Sequence, residues 1–313
     1  MAKKNNLMMA GASIAKRNGR YIFWFYLLNV FLAWSGAVAF KVQAESVMDH
    51  SLYADKVLHG FDLVTLIELI SRPEFGPLNS AVMPAVYFGI LFCLLNFVFM
   101  PGVLAGYAAT GRLTREDFFR ACGRNLWRFV RLLLFFILIG GAVFGILSGT
   151  RVGLAKAADT TSNERLPFFV QITGLAITLL VMTAIRAWFD LAETEVVVED
   201  QGIVRRTVAA GFHSMRRSLG RLVGTYVLIR VISLIAIALG LWIWLVAVPP
   251  DSVLAAFVVG QLIAFVTLAA RFWQRACGVE FFLGSLAVPA VEPVSVPSGS
   301  VPPVPMVEGG AQI

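Results

Sequence analysis

The chain has 313 residues, a formal net charge of +7, 58% hydrophobic residues and 14% charged residues. Water-soluble domains carry about 25% charged residues, so this composition excludes a soluble globular protein. Apolar segments of about 20 residues recur, which is the length of a helix that spans a bilayer core, whereas an outer-membrane barrel would show short alternating strands. We therefore predict an all-α polytopic membrane protein.

Six transmembrane helices, arranged as three hairpins with amphipathic connecting helices, are predicted from the apolar segments. Residues 1–20 form a basic N-terminus and residues 21–287 form the transmembrane domain. Residues 288–313 form a Pro-rich tail whose composition is typical of disordered segments. The predicted spans lie at about 21–40, 83–108, 129–149, 167–189, 221–248 and 253–272.

The first span is compatible with two interpretations, a retained anchor or a cleaved signal peptide. Ala37, Val38 and Ala39 resemble a small-residue cleavage site. The apolar stretch approaches about 20 residues, which is longer than the core of a signal peptide and favours the anchor. Cleavage would leave five spans in the same orientation.

The outer segment 41–82 contains an apolar stretch, residues 51–70, that is too short to cross a bilayer. Because Asp62 and Glu68 interrupt it, we predict an interfacial or re-entrant helix, which is a candidate lid or partner surface.

Lys and Arg concentrate at the N-terminus, in the second-to-third and fourth-to-fifth connections, and after the sixth span. Since cytoplasmic loops carry an excess of these residues, both termini are predicted to be cytoplasmic.

The two basic connections repeat apolar residues at helical spacing. In the first, the apolar face consists of Phe118, Cys122, Leu126 and Phe129. In the second, it consists of Val204, Val208, Phe212, Met215 and Leu219. Such helices are expected to lie in the membrane interface with the apolar face down and guanidinium groups toward anionic lipid head groups. The alternative is a topology determinant that only rests on the bilayer. The predicted head-group contacts are Arg120, Arg124, Arg128, Arg131, Arg205, Arg206, Arg216 and Arg217.

Arg230 lies within the fifth span, about 13 Å past Arg221 at 1.5 Å per residue. An arginine at the centre of a membrane helix costs about 2.5–3.5 kcal/mol, so we expect it to face the bundle and find acceptors. It can brace the bundle or bind an anion. The candidate acceptors in other spans are Gln261, Gln171, Asn96 and Asn29.

No nucleophile motif, phosphate-binding loop or metal-ligand spacing occurs in the sequence. Helical spacing predicts that Asp190 and Glu193 pair with Arg186 at the water boundary. The Val-rich residues 195–198 are read as a short extended break. We therefore expect no enzymatic activity, no metal and no cofactor.

Parts of the chain repeat. The lead-ins to the first, third and fifth spans each set Ala near basic residues, beginning at Ala10, Ala121 and Ala210. The exits of the fourth and sixth spans also align, through the pairs Arg186/Arg271, Trp188/Trp273 and Glu195/Glu280. Basic residues at helix ends are expected in any case, so descent from a repeated hairpin stays open.

One elbow shows an apolar-Val, acid-acid, Gly, then Ala-and-Arg pattern, carried by Val198, Glu199, Asp200, Gly202, Ala209, Ala210 and Ser214. With its flanking helices it resembles the multi-helix membrane domain associated with bacterial glycerophosphodiester phosphodiesterases and related six-helix bacterial membrane proteins. The connection at 104–118 departs from this pattern. The catalytic His and metal-binding acids of the phosphodiesterase domain have no counterpart, so hydrolase activity does not carry over.

The resemblance implies an integral membrane module, and we predict that it lies in the bacterial inner membrane. The leading prediction is a scaffold or lipid-contacting accessory protein whose partners are anionic lipids and a membrane protein, without nucleic acid. The alternative is a transporter or channel for an anionic or lipidic solute that uses Arg230.

Overall fold

The computed structural model describes residues 6–48, 78–159, 165–217, 219–249 and 252–286. Within these ranges the chain forms eight helices. They are α1 Leu7–Arg17, α2 Gly19–Met48, α3 Leu78–Ala108, α4 Arg115–Asp159, α5 Leu166–Val198, α6 Val204–Arg217, α7 Leu219–Ala247 and α8 Val253–Leu286. The predicted outer helix at 51–70 and the tail at 288–313 lie outside the described residues.

Six of these helices, α2, α3, α4, α5, α7 and α8, are long and apolar enough to cross a membrane. The prediction of an all-α polytopic membrane protein is therefore confirmed. Large apolar side chains such as Trp34, Leu138 and Leu245 are exposed along these helices. Extended exposed apolar surface of this kind is typical of a protein that meets lipid.

Two helices continue through positions where the sequence predicts a boundary. Helix α4 has 45 residues, so the predicted interfacial helix at 114–131 and the third span form one continuous helix. No Pro and no turn residue interrupts its hydrogen-bond ladder at the predicted junction. The predicted extended break at 195–198 is wrong, because α5 remains helical to Val198. Val196 and Val197 are buried there, and their packing outweighs a helix-propensity cost of less than about 0.7 kcal/mol per residue.

The spans form three hairpins around a triangle of inner helices. Hairpin 1 is α2 with α3, hairpin 2 is α4 with α5, and hairpin 3 is α7 with α8. The second helices of the hairpins, α3, α5 and α8, contact one another in all three pairs. Each first helix packs in a gap of this triangle: α2 against α3 and α8, α4 against α3 and α5, and α7 against α5 and α8. The hairpins are thus related by an approximate three-fold arrangement.

Each hairpin begins with a lead-in segment, defined as α1, residues 115–128 of α4, or α6. Each lead-in packs on the inner helix of the preceding hairpin, and α1 closes the ring by packing on α8. The connections at 109–114 and 199–203, called elbows here, join α3 and α5 to the next lead-in. The end of the bundle that carries them is called the elbow end.

The same kind of tryptophan hydrogen bond joins two of the lead-ins to their inner helices. The Trp188 indole N–H of α5 donates to the Val208 carbonyl of α6 at 2.8 Å, and the Trp273 indole N–H of α8 donates to the Met8 carbonyl of α1 at 2.9 Å. Because each of these bonds ties an inner helix to a lead-in, the repetition in the sequence corresponds to a repeated contact in space.

Close helix contacts repeat with the same residue offsets. Gly11 of α1 lies against Cys277 of α8, and Gly211 of α6 lies against Ala192 of α5. The offset that relates Met8 to Val208 also relates Gly11 to Gly211. In the remaining copy, Cys122 of α4 lies against Gly102 of α3. Here the glycine is on the inner helix and the larger side chain is on the lead-in. All three lead-ins therefore approach their inner helix through one glycine contact.

Candidate functional site

A cluster of charged side chains is buried where α5, α7 and α8 meet. The Asp190 side chain is 4% exposed. Its carboxylate accepts a hydrogen bond from Arg186 Nε at 3.1 Å and another from the Tyr226 hydroxyl at 3.1 Å. Arg275 Nε of α8 lies 3.8 Å from the same carboxylate. The predicted Arg186–Asp190 pair is confirmed; its carboxylate is buried, whereas the Arg186 side chain is 45% exposed.

Glu193 pairs across the helix interface instead of with Arg186. Its Oε2 lies 3.7 Å from Arg275 Nη2, and both side chains are at most 20% exposed. The cluster therefore joins two carboxylates to two guanidinium groups drawn from α5 and α8. Such a network fixes the two inner helices relative to each other, since separating them would leave buried charges unpaired.

The repeat explains the position of Arg275. The offset that relates Trp188 to Trp273 also relates Asp190 to Arg275, so equivalent positions of two inner helices carry opposite charges. The alignment of these two helices is visible in the sequence, but Arg275 is not among the predicted partners of Asp190. Opposite charges at aligned repeat positions mark Asp190 and Arg275 as candidates for a pair, but they do not show that the two positions face each other.

The third inner helix contributes Tyr107, which is 1% exposed. The charge of Arg275 acts on the Tyr107 side chain, so Tyr107 lies near the same cluster. Among the described residues, the Tyr107 hydroxyl and Glu193 Oε2 are buried without a hydrogen-bond partner. The centre of the inner triangle thus holds polar groups from α3, α5 and α8.

The residues predicted to surround Arg230 are not brought together. Gln261 accepts a hydrogen bond from the Tyr26 hydroxyl at 3.0 Å, and Asn96 donates to the Phe92 carbonyl of its own helix at 3.2 Å. Gln171 is exposed, and Asn29 is half-buried.

Arg230 is exposed and does not face the bundle core, contrary to the prediction. The buried face of α7 runs through Leu222, Tyr226, Ile229 and Ser233, and a residue directly after Ile229 is turned about 100° away from that face. Arg230 instead lies near Arg271 of α8, close enough for the two charges to interact.

The predicted head-group arginines of α4 differ in the partners that they contact. Arg120 pairs with Glu116 and with Asp117 of its own helix. Two further arginines bind the elbow after α5: Arg124 Nε lies 3.7 Å from Asp200, and Arg128 pairs with the same carboxylate. The Arg128 hydrogen bond, followed by the charges of Arg124 and Arg128, lowers the pKa of Asp200. Arg131 stands apart, with its guanidinium over the Trp127 ring at 5.6 Å.

Helix α6 does not present its apolar face to lipid as predicted. Val204, Val208 and Met215 are buried, and α6 packs on α5, so protein covers most of the predicted stripe. Phe212 is 44% exposed and departs from the stripe. The arginines Arg205, Arg206 and Arg216 remain exposed, and the side chain of Arg217 lies outside what the structure describes.

No protein-family model matches the chain, and neither the curated proteins nor the solved structures contain a match. The resemblance to the membrane domain of the glycerophosphodiester phosphodiesterases therefore stays a prediction.

Proposed function

We propose that this protein is a non-enzymatic, lipid-contacting accessory module of the bacterial inner membrane. In this proposal both termini and the elbow end face the cytoplasm, and the exposed arginines bind anionic lipid head groups. The observation that carries it is the packing of α6. Val204, Val208 and Met215 of this helix are buried while Arg205, Arg206 and Arg216 are left exposed, so its outer face is basic.

The charge distribution supports the orientation. A short basic helix held at the end of a membrane bundle lies at the height of the lipid phosphates. Each basic residue near an anionic surface contributes about 1 kcal/mol. A reporter fused after Ile313 is expected on the cytoplasmic side, and an external reporter would overturn the orientation.

The lipid contact can be tested with two double variants. Arg206→Gln/Arg216→Gln removes two charges from α6, whereas Lys41→Gln/Lys156→Gln removes two exposed charges far from the elbow end. We expect the first to weaken binding of phosphatidylglycerol to the detergent-solubilised protein by roughly thirtyfold, from about 2 kcal/mol in total, and the second to leave it unchanged. Equal affinities for both variants would overturn the proposal.

A second candidate function, transport of an anionic or lipidic solute, is favoured by the arginines around Arg271. Arg186, Arg230 and Arg271 are exposed, and the charges of Arg186, Arg230 and Arg275 all act on Arg271. Among the described residues, only two acids, Asp190 and Glu193, pair within this group of arginines, so positive charge is in excess there. Arg230→Leu is expected to abolish anion flux in proteoliposomes if the chain transports, and unchanged flux would remove this candidate.

A further inference from the structure

A groove opens at the elbow end of hairpin 2, between α4 and the elbow that follows α5. Its volume is about 540 Å³. Arg131 of α4 lines one wall, and Arg205, at the start of α6, lines the other. The apolar residues Leu134, Phe135 and Leu138 continue from Arg131 along α4. We call this the hairpin-2 groove.

A second groove opens at the elbow end of hairpin 1, between α2 and the elbow that follows α3. Its volume is about 610 Å³. Arg20 of α2 and Arg115, the first residue of α4, both line it. Trp24 and Leu28 continue from Arg20 along α2. We call this the hairpin-1 groove.

The two grooves are repeats of one another. Gly11 and Cys122 occupy equivalent places, since each approaches an inner helix through the glycine contact. The offset between them also relates Arg20 to Arg131 and Trp24 to Phe135. Each elbow adds an apolar residue and then an arginine at the start of the next helix. These residues are Leu113 with Arg115 in the first elbow and Ile203 with Arg205 in the second.

The third hairpin lacks the counterpart of Arg131. The offset that relates Cys122 to Gly211 places Gly220 where hairpin 2 has Arg131. A complete pair of arginines is therefore present in two of the three repeats. Two sites and not three are expected.

The groove arginines carry charge that the described part of the chain does not neutralise. Arg131 is oriented by the Trp127 ring, and Arg20 by the Leu113 carbonyl at 3.0 Å and the Tyr21 ring at 4.8 Å. These partners are neutral. No described carboxylate forms an ion pair with either of them, nor with Arg115 or Arg205, in contrast to the acids that hold Arg120, Arg124 and Arg128.

We propose that each groove holds one anionic phospholipid, with its phosphate between the two guanidinium groups and its acyl chain along the apolar wall. This proposal rests on the proposed lipid contact and adds two defined sites to the surface contact made by α6. A planar guanidinium binds phosphate oxygens in bidentate fashion, and the backbone N–H groups that begin α4 and α6 lie at the same grooves. A lipid fits better than a soluble phosphate because the walls continue onto apolar, exposed faces of α2 and α4.

The test is native mass spectrometry of the full chain released from nanodiscs that contain phosphatidylglycerol and phosphatidylcholine. We expect the wild type to retain two phosphatidylglycerol molecules. Arg131→Gln/Arg205→Gln and Arg20→Gln/Arg115→Gln are each expected to retain one, and the combined variant none. All four side chains are exposed, so folding should persist, and helix content measured by circular dichroism checks it.

Two controls separate this inference from the proposed function. Arg206→Gln/Arg216→Gln changes the exposed face of α6 outside both grooves and is expected to retain two lipids. Arg131→Lys/Arg205→Lys keeps the charge but not the bidentate geometry, so we expect at least a tenfold faster loss of the hairpin-2 lipid.

Three results would overturn the paired sites. The wild type would retain no lipid in fixed number, or the groove variants would retain as many as the wild type, or 10 mM inorganic phosphate would displace the bound lipid as effectively as phosphatidylglycerol vesicles do. If the α6 variant nevertheless lost its affinity for anionic lipid, the proposed function would stand without the grooves. If the wild type retained two lipids and the α6 variant kept its full affinity for anionic lipid, the groove sites would stand and the role of α6 would be removed.

Discussion

Replacing Asp190 with Asn is expected to destabilise the bundle by about 3 kcal/mol. Removing one partner of a buried ion pair costs about 3–5 kcal/mol, because the other charge stays buried and unpaired. The remaining charge is Arg275, which is 15% exposed, and Glu193 stays 3.7 Å from it, so the lower end of the range applies. Arg186 is 45% exposed and adds little, since solvent screens it. Tyr226 can still donate to the Asn amide oxygen.

Unfolding in mixed micelles, followed by circular dichroism, measures this loss. A change of about 3 kcal/mol corresponds to a roughly 150-fold larger unfolding constant. The matched control is Glu199→Gln, which neutralises an exposed acid at the end of the same helix and should stay within about 0.5 kcal/mol of the wild type. The double variant Asp190→Asn/Arg275→Gln restores the balance of charge. We expect its destabilisation to be at least about 1 kcal/mol less than the sum of the single effects.

Two results would refute this reasoning. If Asp190→Asn unfolds like Glu199→Gln, the buried carboxylate does not hold α5 and α8 together. If the effects of Asp190→Asn and Arg275→Gln are additive, the two charges do not interact across the helix interface.

Two further predictions concern the lead-ins and the elbow. Gly11→Ala is expected to loosen α1 from α8, because an added Cβ would lie 2.9 Å from the backbone N and Cα of Cys277, whereas Gly19→Ala meets nothing within 4 Å. Faster amide exchange of α1 in the first variant alone would support this, and equal exchange in both would contradict it. The lowered pKa of Asp200 means that its pairing with Arg128 stabilises the fold above the unfolded pKa of about 3.9 and is lost as pH falls through the lower folded value. Asn tolerates the positive φ of 54° at this position. The variant Asp200→Asn should therefore lose less thermal stability on acidification than the wild type, and an equal loss would refute the pairing.

The sequence alone determined which segments are helices long enough to cross a membrane. Span length and apolar content are local properties, because each helix satisfies its own backbone hydrogen bonds and needs only enough apolar residues in a row. The same locality made the Arg186–Asp190 pair predictable, since its members are one helical turn apart.

Tertiary structure decided the properties that depend on which helix lies beside which. Arg230 was predicted to face the core, but that depended on the rotation of α7, which is fixed by the packing of Tyr226 and Ile229. The helical state of 195–198 depended on neighbours that bury Val196.

The repeat is determined partly by the sequence and partly by the tertiary structure. Its aligned residues are visible in the sequence, but a charge at one repeat position does not show which other position it faces. Only the closed ring of hairpins brings Arg275 to Asp190 and places Arg131 opposite Arg205. Long-range pairings of this kind come from the packing of whole helices, and no local pattern of spacing or charge encodes them.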